Sequence, residues 1–475
     1  VVAADRITAQ GSFAQAQAEY LRPDPETVEK LTRTLKNKNV GVVAHFYMDP
    51  ELQGVLSAST WPHIHISDSL LMADAAVKMA EAGVETCVVL GVDFMSENVR
   101  AMLDASGHQD VECYRVAADP IGCSLAESAD SRAYAAYLHK AAQTPNSLHV
   151  IYVNTSLRTK ANAQSLLPTI TCTSSNVVQT ILQATAQVED LHIWFGPDTY
   201  MGRNLFALFS GLAQMDDATV AALHPDHDRA SVAALLERFH YFEQGVCVVH
   251  QMFGADVAHR IERDFPDAFV TAHLEVPGEM FEVGLRAQQA GRGVVGSTSN
   301  ILAFITSQVV AAGRDGGARR LRFVLGTEAG MITSIVRAVQ AELLDQKSEG
   351  VPEVEVEIIF PVASEAVAAT DDAALPIVPG AATGEGCSIE GGCATCPYMK
   401  MNSLDALMDM VERVGTAPES LVAYHPRAYA ENVDGRTVAQ VGGESILHMR
   451  HFQRHKKLSD DLVADITSRN QDRTG

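Results

Sequence analysis

Positive charge is scarce in this 475-residue chain, in which 36 lysines and arginines face 59 aspartates and glutamates for a formal net charge of −23. Proteins that neutralise nucleic-acid phosphates or lie on anionic lipid carry the opposite excess, so neither is expected as a principal ligand. No run approaches the roughly 18–20 apolar residues of a membrane-spanning helix. The N-terminal VVAADRITAQGSFAQAQ lacks a basic segment followed by an apolar core, so no secretory signal is expected there. Eight cysteines are too sparse for a disulfide scaffold. Cys87, Cys113, Cys123, Cys172 and Cys247 are scattered, whereas Cys387, Cys393 and Cys396 crowd into ten residues. In a reducing compartment that crowding suggests metal or redox chemistry more than structural bridging.

What is present is ordinary globular material, 47% apolar and 20% charged. At roughly 150 residues per domain, the length predicts about three domains. Apolar, β-branched runs at 41–46, 86–91, 148–153, 168–172, 191–196, 245–250, 268–273, 293–297 and 321–326 read as strands buried on both faces. Amphipathic stretches lie between them. Asp24-Pro25 opens a helix through Leu35, and Asp68–Ala82 forms another that ends at Gly83. The alternation predicts an α/β protein with several small parallel sheets. Residues 213–244 read as a helical insertion, and 343–386 as an acidic, Pro/Gly-spaced connector into the cysteine cluster.

Several strands run into polar residues: His45 and Tyr47; Tyr152 and Asn154; Thr173 to Asn176; His250; His273 and Glu275; Ser297 and Thr298. Ligands of open α/β sheets bind outside the carboxyl ends of strands, where hydroxyls and helix N-terminal amides suit carboxylates and phosphates. Each such residue taken alone reads equally well as a helix cap, but six edges together point to an active site. Cys393-x-x-Cys396 fits half a zinc site, a redox pair or an iron–sulfur ligand set. Cys123 precedes a helix, where the dipole favours a thiolate, and Cys247 reads as a buried core cysteine.

These segments resemble a known family. HFYMDPELQ (45–53), SDSLLMA (67–73), DFMSEN (93–98), GCSLAE (122–127), YVNTS (152–156) and TCTSSN (171–176) resemble successive blocks of quinolinate synthase. So do GPDTYMGRN (196–204), GVCVVH (245–250), GSTSN (296–300), GTEAG (326–330) and CATCPYMKMNSL (393–404), in family order over nearly the whole chain. HIHISDSL, HLEVPGEMFE and GEGCSIEGGCATCPYMKMN resemble the plant and algal plastid branch, which implies the plastid stroma rather than a cytoplasmic setting.

The resemblance implies condensation of iminoaspartate with dihydroxyacetone phosphate to quinolinate, phosphate and water, on the de novo route to NAD. It implies three similar small α/β domains in pseudo-threefold arrangement around a central [4Fe–4S] cluster. Cys123, Cys247 and Cys396 would be its ligands and mark the junctions between the domains. The domains would comprise 1–122 plus 397–475, 123–246, and 247–396. With three ligands the cluster keeps an open site that acts as a Lewis acid. His45, Ser69, Asn154, Ser174, His273 and Thr298 would hold the substrates' carboxylates or phosphate, with Ser297 beside them. Tyr47 and Tyr152 would transfer protons, Glu275 would act as a base, and His250 would support the cluster. Implied partners are L-aspartate oxidase and a sulfur-mobilising domain, and a homodimer is allowed for. The chain departs from the family at Val276, where many relatives carry cysteine, and in its Cys387-x5-Cys393-x2-Cys396 spacing. A disulfide at Cys393 is one reading of that spacing. The competing functions are an iron–sulfur hydro-lyase of a small hydroxy acid and a non-enzymatic cluster carrier.

Overall fold

The computed structural model describes residues 1–314, 319–351, 353–361 and 395–474. The chain divides into two compact units. The first comprises residues 1–92, 108–121 and 248–426; the second comprises 93–107, 122–247 and 427–475.

Among the described residues, twelve parallel strands form three four-stranded sheets. In the first unit, β1 (Val40–His45), β2 (Ile64–Ser67), β3 (Thr86–Leu90) and β4 (Glu112–Arg115) lie in the order β2-β1-β3-β4. The second unit holds β5 (Ser147–Tyr152), β6 (Thr169–Cys172), β7 (His192–Gly196) and β8 (Phe239–Tyr241), ordered β6-β5-β7-β8. The other sheet of the first unit contains β9 (Phe269–His273), β10 (Gly293–Gly296), β11 (Arg319–Gly326) and β12 (Val354–Ile359), ordered β10-β9-β11-β12. The same order thus occurs three times. In each sheet the chain reverses direction of winding beside its first strand, the position where an open α/β sheet leaves a crevice.

The central strands are the apolar runs expected, and β1, β3 and β5 are buried at every residue. In the first unit Phe323 of β11 is fully buried, stacked on Phe269 with ring centroids 5.0 Å apart. In the second, Tyr134, Ile151, Trp194 and Phe242 share one core. The helix Pro25–Asn37 begins where expected, with the Asp24 carboxylate accepting from the Thr27 amide at 2.9 Å. The helix Ser69–Glu81 is capped by Asp68 and ends before Gly83, whose φ of +89° is the left-handed turn that glycine permits.

Three expectations change. Residues 245–250 are not a strand: Gly245 exchanges hydrogen bonds with Thr199, and the Val246 carbonyl accepts from Ser124 Oγ at 3.0 Å. Gly245 and Val246 thus bond through their backbone to Thr199 and Ser124 rather than to a ladder, and the run ends in a short 3-10 turn, His250–Met252. Residues 213–244 contain two helices, Asp217–Leu223 and Arg229–Glu237, but then supply β8, so the segment completes a sheet rather than merely interrupting one. The supposed connector begins as the end of a helix, Met331–Ser348, and the edge strand β12. Its remainder from 362, with Cys387, Glu390, Cys393 and the suggested disulfide, lies outside the described residues.

Candidate active site

In the first unit, β1 and β9 deliver His45 and His273 at their carboxyl ends, and both side chains are buried. The chain then turns, placing Tyr47 two residues beyond His45 and Glu275 two residues beyond His273. His250 enters on the short turn after the crossing segment. These five residues form one cluster. The rings of His45 and Tyr47 meet edge-on at 4.7 Å, Tyr47 and His250 lie 6.2 Å apart, and His250 stacks on His273 at 4.8 Å.

The hydrogen bonds assign the imidazole protons. The Tyr47 amide donates to His45 Nδ1 at 3.2 Å and the Glu275 amide to His273 Nδ1 at 3.3 Å. Each ring therefore carries its proton on Nε2, as a donor. Burial lowers the His45 pKa to about 4 and that of His273 to about 3, so both are neutral near pH 7. His250 presents its other nitrogen: Nδ1–H donates to Glu275 Oε2 at 3.1 Å. The 3.6 Å separation of His273 Nδ1 from Glu275 Oε1 is too long for a hydrogen bond. A carboxylate oriented by one histidine, beside two imidazole donors and a phenol, can bind anionic groups and move protons.

The other hydroxyls expected in this unit are present. Ser69 opens its helix directly after Asp68, and Asp68 Oδ2 accepts from Ser299 Oγ at 3.0 Å, which ties the edge of β2 to that of β10. Thr298 opens the helix Thr298–Arg314 and is buried. Ser297 is engaged with Asn300, its hydroxyl donating to Oδ1 at 2.7 Å, so its main job here is to shape the turn.

In the second unit, Tyr152 ends β5 and is buried, while Asn154 and Ser174 are half-exposed on the loops after β5 and β6. Cys123 occupies the N-cap position of the helix Ser124–Ala129 without a side-chain capping bond. The Ser124–Val246 hydrogen bond brings its segment against the one ending in Cys247. Cys396 belongs to the first unit, as do His250 and Glu275, while Cys247 stands three residues before His250 in the chain.

Three buried residues escaped the sequence reading. Lys160 donates from Nζ to the carbonyls of Val153 and Thr155, on either side of Asn154; the first bond is 3.1 Å. Glu328 accepts from the amides of Cys396 and Gly330, both at 2.8 Å, although burial pushes its carboxyl up to about 8. Gln53 donates to the carbonyls flanking Tyr47. Glu328 lies in GTEAG after a strand and Gln53 ends HFYMDPELQ, so the motifs marked the places; burial alone could assign their partners.

A thrice-repeated parallel sheet, with imidazoles, a phenol and a carboxylate gathered at strand ends, defines an α/β enzyme. The family described as Quinolinate synthetase A protein matches residues 29–356, and the chain belongs to it: it is a quinolinate synthase of NAD biosynthesis. The chain is 54% identical to "Quinolinate synthase, chloroplastic" of Oryza sativa subsp. japonica, over 97% of its own length and 67% of that protein's. Against the protein of the same name from Nicotiana tabacum it is 54% identical over 98% and 66% of the respective lengths. The Arabidopsis thaliana protein is 52% identical, over 98% and 67%. The chain thus spans about two thirds of the length of these relatives. Among the described residues no helix is long and apolar enough to cross a membrane.

Proposed function

We propose that this chain joins iminoaspartate to dihydroxyacetone phosphate, releasing one phosphate and two waters with no net oxidation or reduction. The observation that carries the reading is the buried cluster of His45, Tyr47, His250, His273 and Glu275, in a chain of this family. Neutral Nε2–H donors on His45 and His273 suit the carboxylates and phosphate of these substrates. Ser69 and Thr298 add a hydroxyl each beside a helix N-terminus, where the dipole favours anions. On the second unit, Asn154 and Ser174 take the same role, and Ser297 acts through the turn it shapes. Glu275, aligned by His250, is the base that removes a carbon-bound or imine proton, and Tyr47 and Tyr152 exchange protons during tautomerisation and dehydration.

The described cysteines fall into two sets, which supports a [4Fe–4S] cofactor on three of them. Cys87, Cys113 and Cys172 are strand residues no more than 1% exposed, and burial pushes the Cys172 thiol well up. Cys123, Cys247 and Cys396 lie off the strands and are half-buried, where thiolates can form and bind metal. When bound, a cluster with an open iron would supply Lewis acidity toward a substrate hydroxyl or carboxylate. Division into three domains, with the ligands at their junctions, accords with the repeated sheet order. The names of the relatives support a plastid stroma location. A functional link to L-aspartate oxidase and a sulfur-mobilising domain, and a homodimeric state, belong to the same proposal.

The test is anaerobic purification followed by assay with iminoaspartate generated in situ and dihydroxyacetone phosphate. Quinolinate and inorganic phosphate are expected in equal amounts. A preparation with its full iron and sulfide that forms neither would overturn the reading. Water loss from a malate-like acid without the triose would favour a hydro-lyase instead.

A further inference from the structure

One continuous set of buried and part-buried hydrogen bonds runs from the backbone of Cys396 to the backbone around Tyr47. Glu328 follows β11, is 1% exposed, and uses both carboxylate oxygens on backbone amides: Oε1 on Cys396 and Oε2 on Gly330, each at 2.8 Å. The Gly330 carbonyl in turn accepts from Gln53 Nε2 at 2.7 Å. The same amide nitrogen lies 2.6 Å from the Phe46 carbonyl and 3.2 Å from that of Met48, the two residues that bracket Tyr47. Gln53 is itself fixed, because its Oε1 accepts from Ser334 Oγ at 3.1 Å. Two protons serving three carbonyls leave no slack in this arrangement.

Sterics point the same way. A Cβ on Gly330 would stand 2.7 Å from both Tyr47 Cα and Glu328 Oε2, and 2.8 Å from the Phe46 carbonyl oxygen. The backbone there is ordinary right-handed helix, so glycine is required by close approach and not by its φ. Tyr47 also reaches the neighbouring turn at its far end, with its hydroxyl 3.4 Å from Thr327 Oγ1.

The geometry points to Glu328 and Gln53 as positioning residues that make the seating of Cys396 and the seating of Tyr47 depend on each other. A buried polar group with its partners in place has one arrangement, so a shift at either end must be passed on or leave donors and acceptors unmatched. Coupling of this kind is reciprocal: whatever orders the Cys396 turn also orders the Tyr47 loop, and the reverse holds equally. The inference rests on Cys396 being a cluster ligand, and deepens that reading by linking cofactor loading to a catalytic tyrosine.

Hydrogen–deuterium exchange on the anaerobic holoenzyme and its cluster-stripped form tests it, following the segments 395–399 and 46–48. In the unaltered protein, stripping should speed exchange in both. In Glu328→Gln, which keeps the side-chain shape but replaces one acceptor oxygen by a donor, stripping should speed exchange in 395–399 only. Gln53→Met breaks the path at its other end and should give the same uncoupled pattern, so the test survives if either variant fails to fold. Both should lower kcat by roughly tenfold to a hundredfold, as expected for misplacement of a reacting group, with KM changed by less than about twofold. A merely structural role would loosen each altered site without removing the response of the distant one. Unchanged exchange at 46–48 on stripping the native protein, or a surviving response in both variants, would overturn the inference. Cys396→Ser separates the two ideas: if it keeps its full iron, the ligand assignment fails, whatever the exchange data say.

Discussion

Glu275 and His250 form a close side-chain pair in the cluster, 3.1 Å between Oε2 and Nδ1, and their roles follow from which atom holds the proton. Replacing Glu275 by Gln removes the base and the charge that aligns the Nδ1–H of His250. Turnover should be lost while the visible absorbance of the iron–sulfur cofactor persists; retained activity would refute the assignment. Lys160 is fully buried, with a pKa lowered to about 7 by burial, and holds the two carbonyls beside Asn154. Lys160→Met should orphan both, at about 1–3 kcal/mol each, read as a shift in the urea midpoint together with a raised KM. Residue types at strand ends were legible as candidates because His, Tyr and Glu are costly to place there without a purpose. Glu328 and Gln53 were not, since a carboxylate bonded to an amide 68 residues along the chain leaves no local pattern.

At the level of elements, every central strand was readable, as were the edge strands β6 and β10, whereas the edge strands β2, β4, β8 and β12 were not. β1, β3 and β5 are mostly apolar and buried at every residue, as covered central strands of a parallel sheet are. β2 carries a histidine and a serine among its four residues and is mostly half-buried, and β12 mixes buried with half-buried residues, so each lacks the continuous apolar run that marks a covered strand. Residues 245–250 show the converse error: an apolar run can be buried as a connection if side-chain hydroxyls satisfy its backbone. Two substitutions probe how the elements pack. Phe323→Ala should cost about 3–5 kcal/mol by opening a cavity between aromatic neighbours, measured by equilibrium unfolding. In the second unit the helix Val438–His455 lies against Leu157–Leu166, and a Cβ on Gly442 would collide with the Leu157 carbonyl. Gly442→Ala should therefore lower the melting temperature, whereas Gly443→Ala, whose nearest new neighbour is 3.9 Å away, should have little effect.

For the whole molecule, buried histidines set the response to acid. Burial lowers His45, His149 and His240 to about 4 and His273 to about 3. Unfolded, each would take a proton near pH 6.5, so below that value the unfolded chain binds protons that the folded one refuses. Stability should fall as pH drops from about 6.5 towards 4. The raised carboxyls of Glu97 and Glu328 act in the opposite direction but are outnumbered. Denaturant midpoints at pH 7.5 and 5 should differ accordingly, and a higher midpoint at pH 5 would contradict this account.

The tautomers of His45 and His273 also bear on how a protein with 23 excess negative charges would receive anions. None of the five clustered residues is a fixed cation, so recognition there works through oriented N–H and O–H dipoles at contact distance. Added salt screens charges farther apart than about 10 Å but leaves such contacts intact. Raising ionic strength should therefore weaken the repulsion of the acidic surface without weakening the grip of the site. KM for the phosphorylated substrate would then fall with salt, where a pocket built from arginine and lysine would show it rising.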